Sequence, residues 1–578
     1  MTKDFSVWAP AADRVDLVVG DRRTSMARQA GDWWHGVGDH VPGRARYGFA
    51  LDGGPVRPDP RSPSQPDGVE GLSEVVDHRA FDWADRGWRG APLRGALLYE
   101  LHVGTFTPGG TFDTAIERLP HLVDLGVDAI ELLPVAEFPG DRGWGYDGVD
   151  LFAPHHAYGG PDGLKRLVDA SHRAGIGVVV DVVYNHLGPA GNHLAEFGPY
   201  FSERHRTNWG PALNLDGPGS DEVRRFVIDN ALMWLRDYHA DGLRLDAVHA
   251  LIDNSARHVL EELAEEVDAL ATEVRRPLFL IAESDLNDPR FVRSRDAGGY
   301  GFDAAWADEW HHAVHATLSG ERSGYYEDFG SLAQLAKALR QAWVYDGQWS
   351  PHRRRAHGRP PTGLVGHQFV VSTQNHDQVG NRAVGDRPGR HMSTGRLRVA
   401  AALLLTGPFI PMLFQGEEWG ATTPFAYFTD LGDPGLAQAV TEGRRHEFAA
   451  FGWEPDQIPD PQALATFDSS KLSWAELDEP DHLEMLDWYR RLVTLRRQVP
   501  DLADPRLSTV EAEIDEAAQT VIVRRGTAIV LVNLGTQAHA FARPPGSTLL
   551  AASDAATALD AATVTVPSDA AAIVTTRP

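Results

Sequence analysis

The chain has 578 residues, 42% of them apolar, with 54 basic against 81 acidic side chains and a formal net charge of −27. That length implies about two to four domains, and so acidic a surface repels phosphate backbones and anionic membranes, which makes nucleic acid an unexpected partner. Without a single cysteine, disulfides, thiolate metal sites and cysteine nucleophiles are excluded.

The opening MTKDFSVWAP is charged at positions 3 and 4 and lacks an apolar core of the signal-peptide kind. The most apolar stretch, Val399 to Phe414, is interrupted by Gly407, Pro408 and Pro411 and falls short of the roughly 18 residues of a membrane span. A soluble, cytoplasmic protein with no membrane association is expected.

The first 90 or so residues predict β-structure, with FSVWAP and VDLVV as short strands and ARYGFALDGG ending in a hairpin turn. Residues 55–69 are rich in Pro and Asp and are not expected to continue a sheet. From Leu97 onward, strand-like and helix-like segments alternate. The strands are ALLYELHVG, DAIELLPV, GVVVDVVYNH, GLRLDAVH, PLFLIAES, DAAWADEWHH, HQFVVSTQNH and PFIPMLFQG. Between them, DEVRRFVIDNALMWLRDYH carries Val223, Phe226, Val227, Leu232, Trp234, Leu235 and Tyr238 on one broad helical face. Asp221 and Glu222 suit its positive end, and Gly242 is read as the turn into the next strand. Further helices are expected over 256–275 and 485–499.

Eight strands alternating with helices predict an α/β protein whose centre is a (β/α)8 TIM barrel with insertions, over residues 91–500. An N-terminal β-sandwich over 1–90 and a small C-terminal β-sandwich over 501–578 flank it. A doubly wound open sheet is the alternative.

Three carboxylates stand where apolar strands give way to polar residues: Asp246 in GLRLDAVHAL, Glu283 in PLFLIAESD and Asp377 in FVVSTQNHD. Acids at the exits of parallel strands converge at one end of a barrel, where barrel active sites are built. Such a convergence breaks a glycosidic bond, one carboxylate attacking the anomeric carbon and another protonating the leaving oxygen. Arg244 lies two positions before Asp246 and shares its face, which keeps the carboxylate ionised and oriented; a structural ion pair closing the strand is the alternative. Glu283 follows LFLIA, where apolar walls favour the protonated form a general acid needs, although a helix N-terminal charge is the commoner role of such a residue. Asp377 with His376 suits a grip on sugar hydroxyls, or a plain turn.

In DVVYNH, Asp181, Asn185 and His186 also have the chemistry of cation ligands, but no second cluster completes a set, so no metal and no cofactor are expected. Trp144 and Tyr146 in RGWGYDGVD suit a sugar-stacking platform or core packing. The cluster PHRRRAHGR at 351–359 reads as a solvated loop, with binding of the far end of an extended substrate as the alternative.

DVVYNH, GLRLDAVH, AESD and QNHD, in this order on successive strands, resemble the four conserved regions of the α-amylase superfamily, glycoside hydrolase family 13. The opening FSVWAPAADRVDLVV is similar to the carbohydrate-binding β-sandwich that precedes the barrel in branching and debranching members. DVVYNHLGPAGN, LRLDAVHAL, IAESDLNDPR and QNHDQVGNR closely resemble the maltooligosyltrehalose trehalohydrolase family. The resemblance implies a maltooligosyltrehalose substrate, hydrolysis that frees trehalose, and action after a maltooligosyltrehalose synthase. It also implies Asp246 as nucleophile, Glu283 as acid/base and Asp377 as transition-state stabiliser, with Trp144, Tyr146, His186, Arg244, His249 and His376 around the substrate. His249 stands where many amylases carry a lysine. Asn185 matches a calcium ligand of many amylases, but the other ligands are not recognisable. The reaction implied is a retaining double displacement, for which the two carboxyls should lie about 5–5.5 Å apart. A branching or transferase activity, or a non-catalytic glucan-binding role, are the alternatives. Tyr200, Phe201 and Trp209 are candidate stacking aromatics for the trehalose end.

Overall fold

Eight short runs, each buried on both faces, close on themselves in a computed structural model that describes residues 3–38, 41–449, 454 and 457–577. The strands are β1 (Leu98–Leu101), β2 (Ala129–Leu132), β3 (Gly177–Val182), β4 (Gly242–Leu245), β5 (Phe279–Ala282), β6 (Ala304–Trp306), β7 (Phe369–Ser372) and β8 (Ile410–Phe414). They pair in parallel in chain order, and β8 returns to β1 through Met412 opposite Leu98. The eight expected strands are these eight, and a closed barrel replaces the open-sheet alternative. The ends of the predicted outer domains, positions 1–2 and 578, lie outside the described residues.

Alternation inside the barrel explains why the strands look uniformly apolar yet deliver polar groups. One set of alternate residues packs outward against helices, among them Tyr99, Leu101, Ile130, Leu132, Val178 and Val180. The other set fills the interior with Leu98, Ala129, Val179, Phe279, Ile281, Ala304, Val370, Ile410 and Met412. Two residues further along the inward face stand Glu100, Glu131, Asp181, Arg244 and Glu283. The apolar layer is the floor on which the charged layer rests.

Among the helices outside it are α1 (Gly160–Arg173), α2 (Ser220–Arg236), α3 (Val259–Val274), α4 (Asp308–Ser319), α5 (Thr394–Thr406) and α6 (Pro480–Gln498). The last begins before the expected residue 485 because Pro480 is preorganised for a first helical turn. Gly242 does not make the turn after α2. That bend is taken by His239 at φ 60°, while Gly242 opens β4 in a position where a Cβ would meet the Phe279 ring at 2.2 Å.

At the N-terminus, sheets of three and five strands are built from residues 3–74. The Pro-rich 55–69 segment departs from expectation at its start, where Val56 and Arg57 pair with Ala50 and Phe49. At the C-terminus a five-stranded antiparallel sheet packs on a three-stranded one between residues 510 and 575.

Candidate active site

Asp246 is the first residue beyond β4, and Arg244, two positions earlier on the same face, is fully buried beneath it. Arg244 Nη1 lies 2.6 Å from Asp181 Oδ2 and 3.1 Å from Asp246 Oδ1, and Nη2 lies 3.4 Å from Glu283 Oε2. Its guanidinium stands 4.2 Å from the Trp306 ring centroid. One planar cation therefore joins carboxyls from the ends of β3, β4 and β5. Asn185 Nδ2 donates to the other Asp246 oxygen at 2.6 Å and to its carbonyl at 3.1 Å. With both oxygens held, Asp246 has one orientation.

Ala247 follows in the left-handed region at φ 41°, a strained position for a residue with a Cβ. The bend lets its N–H donate to Glu283 Oε2. Burial pushes the Glu283 carboxyl well above the usual range, against the pull of Arg244 and with the help of Asp246 and Asp377. A proton is thus retained on a carboxyl whose Oε2 is already engaged.

A second chain of bonds runs from the barrel floor. Burial alone would lower His376, but Asp377 and Glu100 outweigh it and raise the imidazole to about 9. In its charged form both ring nitrogens donate: Nδ1 to Glu100 Oε1 at 2.6 Å and Nε2 to the Tyr146 hydroxyl at 2.7 Å. Tyr146 in turn donates to Asp181 Oδ2 at 2.7 Å. Burial lifts Asp181 to about 6 in spite of Arg244. Asp377 stands 3.6 Å from His376 Nε2 and accepts from Asn381 at 3.0 Å, with its side chain 43% exposed at the mouth.

Most of the residues expected around the substrate gather here. His186 Nδ1 donates to Asn185 Oδ1, and the exposed Trp209 stacks on the imidazole at 5.2 Å. His249 lies on the exposed turn after Asp246, within electrostatic reach of Asp285. Two expectations need correction. Trp144 is only 5% exposed, donates to the Ala426 carbonyl and stacks on Phe425 in an apolar cluster, so it supports Tyr146 and His376 rather than offering a ring to sugar. Tyr200 is likewise in the core, edge-on to Trp8 and Phe226, whereas Phe201 is half-buried. The arginine cluster at 351–359 is not merely a solvated loop, because Arg353 reaches Asp285 at 2.8 Å beside the site.

Glu100, Glu131 and Asp308 were missed by sequence reasoning. A glutamate inside LYEL or AIEL was the available signal, since a charge there has no solvent to face. Asp308 opens α4 near Asp377 and Asp285, and burial with these two charges lifts it to about 7. Among the described residues, Glu137, His155 and His156 have the composition of a cation site. The bonds do not suit one: His156 Nδ1 is engaged by Glu137 at 2.6 Å, and Ala157 N–H donates to His155 Nδ1, leaving its other nitrogen protonated.

A buried arginine joining strand-end carboxyls in a closed parallel barrel defines a glycoside hydrolase of the α-amylase class. The family model for the alpha amylase catalytic domain matches residues 63–209, and a domain of unknown function matches 505–573. The chain is 50% identical to a malto-oligosyltrehalose trehalohydrolase of Rhizobium sp. (strain M-11) over 98% of this chain and 97% of that one. It is 54% identical to the protein of that name from Arthrobacter ramosus, over 92% and 93%. A crystal structure from Salmonella typhimurium, named as a candidate alpha amylase, superposes with a TM-score of 0.91 at 38% identity, covering 99% of this chain and 98% of that one. The chain belongs to the malto-oligosyltrehalose trehalohydrolase family.

Proposed function

We infer that the protein hydrolyses the α-1,4 bond joining a maltooligosaccharide to a terminal trehalose, releasing free trehalose. The pairing of Asp246, held at both oxygens, with a proton-bearing Glu283 across one guanidinium supports cleavage of a glycosidic bond, and the observation that carries the trehalose end is the 50–54% identity to trehalohydrolases over nearly the whole chain.

Asp246 attacks the anomeric carbon while Glu283 gives its proton to the glycosidic oxygen, and trehalose departs. Glu283, now a carboxylate, takes a proton from water as the water oxygen attacks the same carbon, freeing Asp246 and the shortened chain. Asp377 binds hydroxyls of the distorted ring, where contacts strengthen in the transition state; the charged His376, whose two N–H groups are engaged by Glu100 and Tyr146, orients Tyr146 and sets positive charge beside Asp377. Trp209, 52% exposed above His186, suits a stacking platform for the next sugar, and His249 with the Asp285–Arg353 pair suits the opposite rim. No helix among the described residues is long and apolar enough to cross a membrane. A cytoplasmic location and a place after a maltooligosyltrehalose synthase belong to the same reading.

The test is to incubate the protein with maltotriosyl trehalose and, separately, with maltopentaose, and to resolve the products. Rapid trehalose release with slow cutting of maltopentaose is expected. Efficient maltopentaose cutting, or longer and branched products, would move the reaction to an amylase or a branching transferase.

A further inference from the structure

We propose that a cavity at the foot of the barrel, opposite the acids, binds a small phosphate-bearing anion. It lies where β4 and β5 begin, between the linker before β1 and the ends of α2 and α3, and has a volume of about 480 Å³. Arg86, Arg89, Arg236, Arg275 and Arg276 line it with a single carboxylate, Asp85. In a chain of net charge −27 such a concentration of guanidinium is out of proportion.

Asp85 does not neutralise it. Its carboxylate is engaged by His172 Nδ1 at 2.9 Å and His239 Nδ1 at 2.8 Å. Cations suit the negative ends of two helices, which accounts for some of the cluster. Arg236 lies 3.0 Å from Asp237, and Arg276 donates to the carbonyls of Leu235, His239 and Ala240 and lies 3.4 Å from Asp241. Helix ends do not account for Arg86 and Arg89, which the linker supplies; Arg86 lies 3.5 Å from Asp82 at the exposed rim, which leaves Arg89 and Arg275 as the cations without a carboxylate. The Arg89 side chain donates only to the carbonyls of Arg86 and Trp88, and among the described residues the Arg275 side chain makes no hydrogen bond or ion pair.

His239 at φ 60° and Arg275 at φ 57° take the left-handed turns that follow α2 and α3, and both form the cavity wall. Guanidinium groups match phosphate geometry in pairs, and a dianion meets the unpaired arginines better than a carboxylate would. The acidic surface elsewhere repels a polyanion, so the occupant is small: inorganic phosphate or a sugar phosphate.

Calorimetric titration of the full-length protein with inorganic phosphate and with glucose 1-phosphate, at constant ionic strength against a chloride control, tests this. Saturable binding is expected, weakened by about tenfold or more in an Arg89→Gln/Arg275→Asn double variant, with trehalose release in the absence of phosphate unchanged. Tighter binding of glucose 1-phosphate would assign a sugar phosphate, and equal binding the free ion. Absence of saturable binding up to about 10 mM, or equal binding by wild type and the single variant Arg89→Gln, would overturn the site; the single variant leaves the turn at the end of α3 untouched.

Discussion

Arg244→Ala should disable the reaction while leaving the barrel closed. The guanidinium is fully buried, 2.6 Å from Asp181, 3.1 Å from Asp246 and 3.4 Å from the Glu283 carboxyl. Truncating one partner of a buried charged pair costs about 3–5 kcal/mol, because the remaining charge is left uncompensated. Here that cost falls on Asp246 where it must bear negative charge and keep one orientation, so the loss appears in the transition state. At about 1.4 kcal/mol per factor of ten, kcat/KM should fall by roughly two to four orders of magnitude. Asp181, lifted by burial to about 6 with Arg244 opposing, would keep its proton at neutral pH once that opposition is gone. Arg244→Lys should recover little, since an ammonium is a point charge and cannot span three carboxyls. The assay is initial-rate trehalose release from maltotriosyl trehalose between pH 5 and pH 9 (about the range in which histidine and raised carboxyls titrate), with circular dichroism to check the fold. A folded Arg244→Lys variant with kcat/KM within about threefold of wild type would refute the bridging role of the guanidinium.

Asp308→Asn should shift the alkaline limb of the pH–rate profile to lower pH. Above its own pKa of about 7 Asp308 adds a negative charge that helps Glu283 keep its proton, and an unmoved limb would contradict this. Trp209→Ala should raise KM for maltotriosyl trehalose with the unfolding midpoint unchanged, since the ring is exposed. Trp144→Ala should do the reverse, lowering stability by about 3–5 kcal/mol through the cavity it leaves; a stable variant with raised KM would restore Trp144 as a sugar platform. His156 is raised to about 9, chiefly by its hydrogen bond to Glu137, while burial outweighs the histidine at Glu137 itself. A histidine raised on folding contributes stability that is complete below about 6.5 and is lost as pH rises through 9. Thermal melts of His156→Gln should therefore lose less stability than wild type across that window, and parallel curves would sink the argument.

Hydrophobic pattern alone carried the barrel. Strands buried on both faces leave runs with no polar alternation, and each of the eight could be marked because helices of longer period separate them. Asp246 and Glu283 were legible for the same reason, since each is the first residue beyond a buried run and so stands at its open end. Arg244 and Asp246 also needed only the two-residue repeat of a strand.

What pattern could not decide is where a side chain lies across the sheet. Trp144 and Tyr146 are two apart in one loop, yet one ring is locked against Phe425 and the other donates its hydroxyl into the site. Glu100 on β1 and His376 beyond β7 are 276 positions apart, and only closure of the barrel makes them a hydrogen-bonded pair. Glu131 and Asp308 take their raised pKa values from burial and from charges on other strands. Composition and period determine which residues are buried and which strand ends bear acids. Desolvation and the distances between charges arise only when distant strands meet, and these decide which carboxyl keeps a proton.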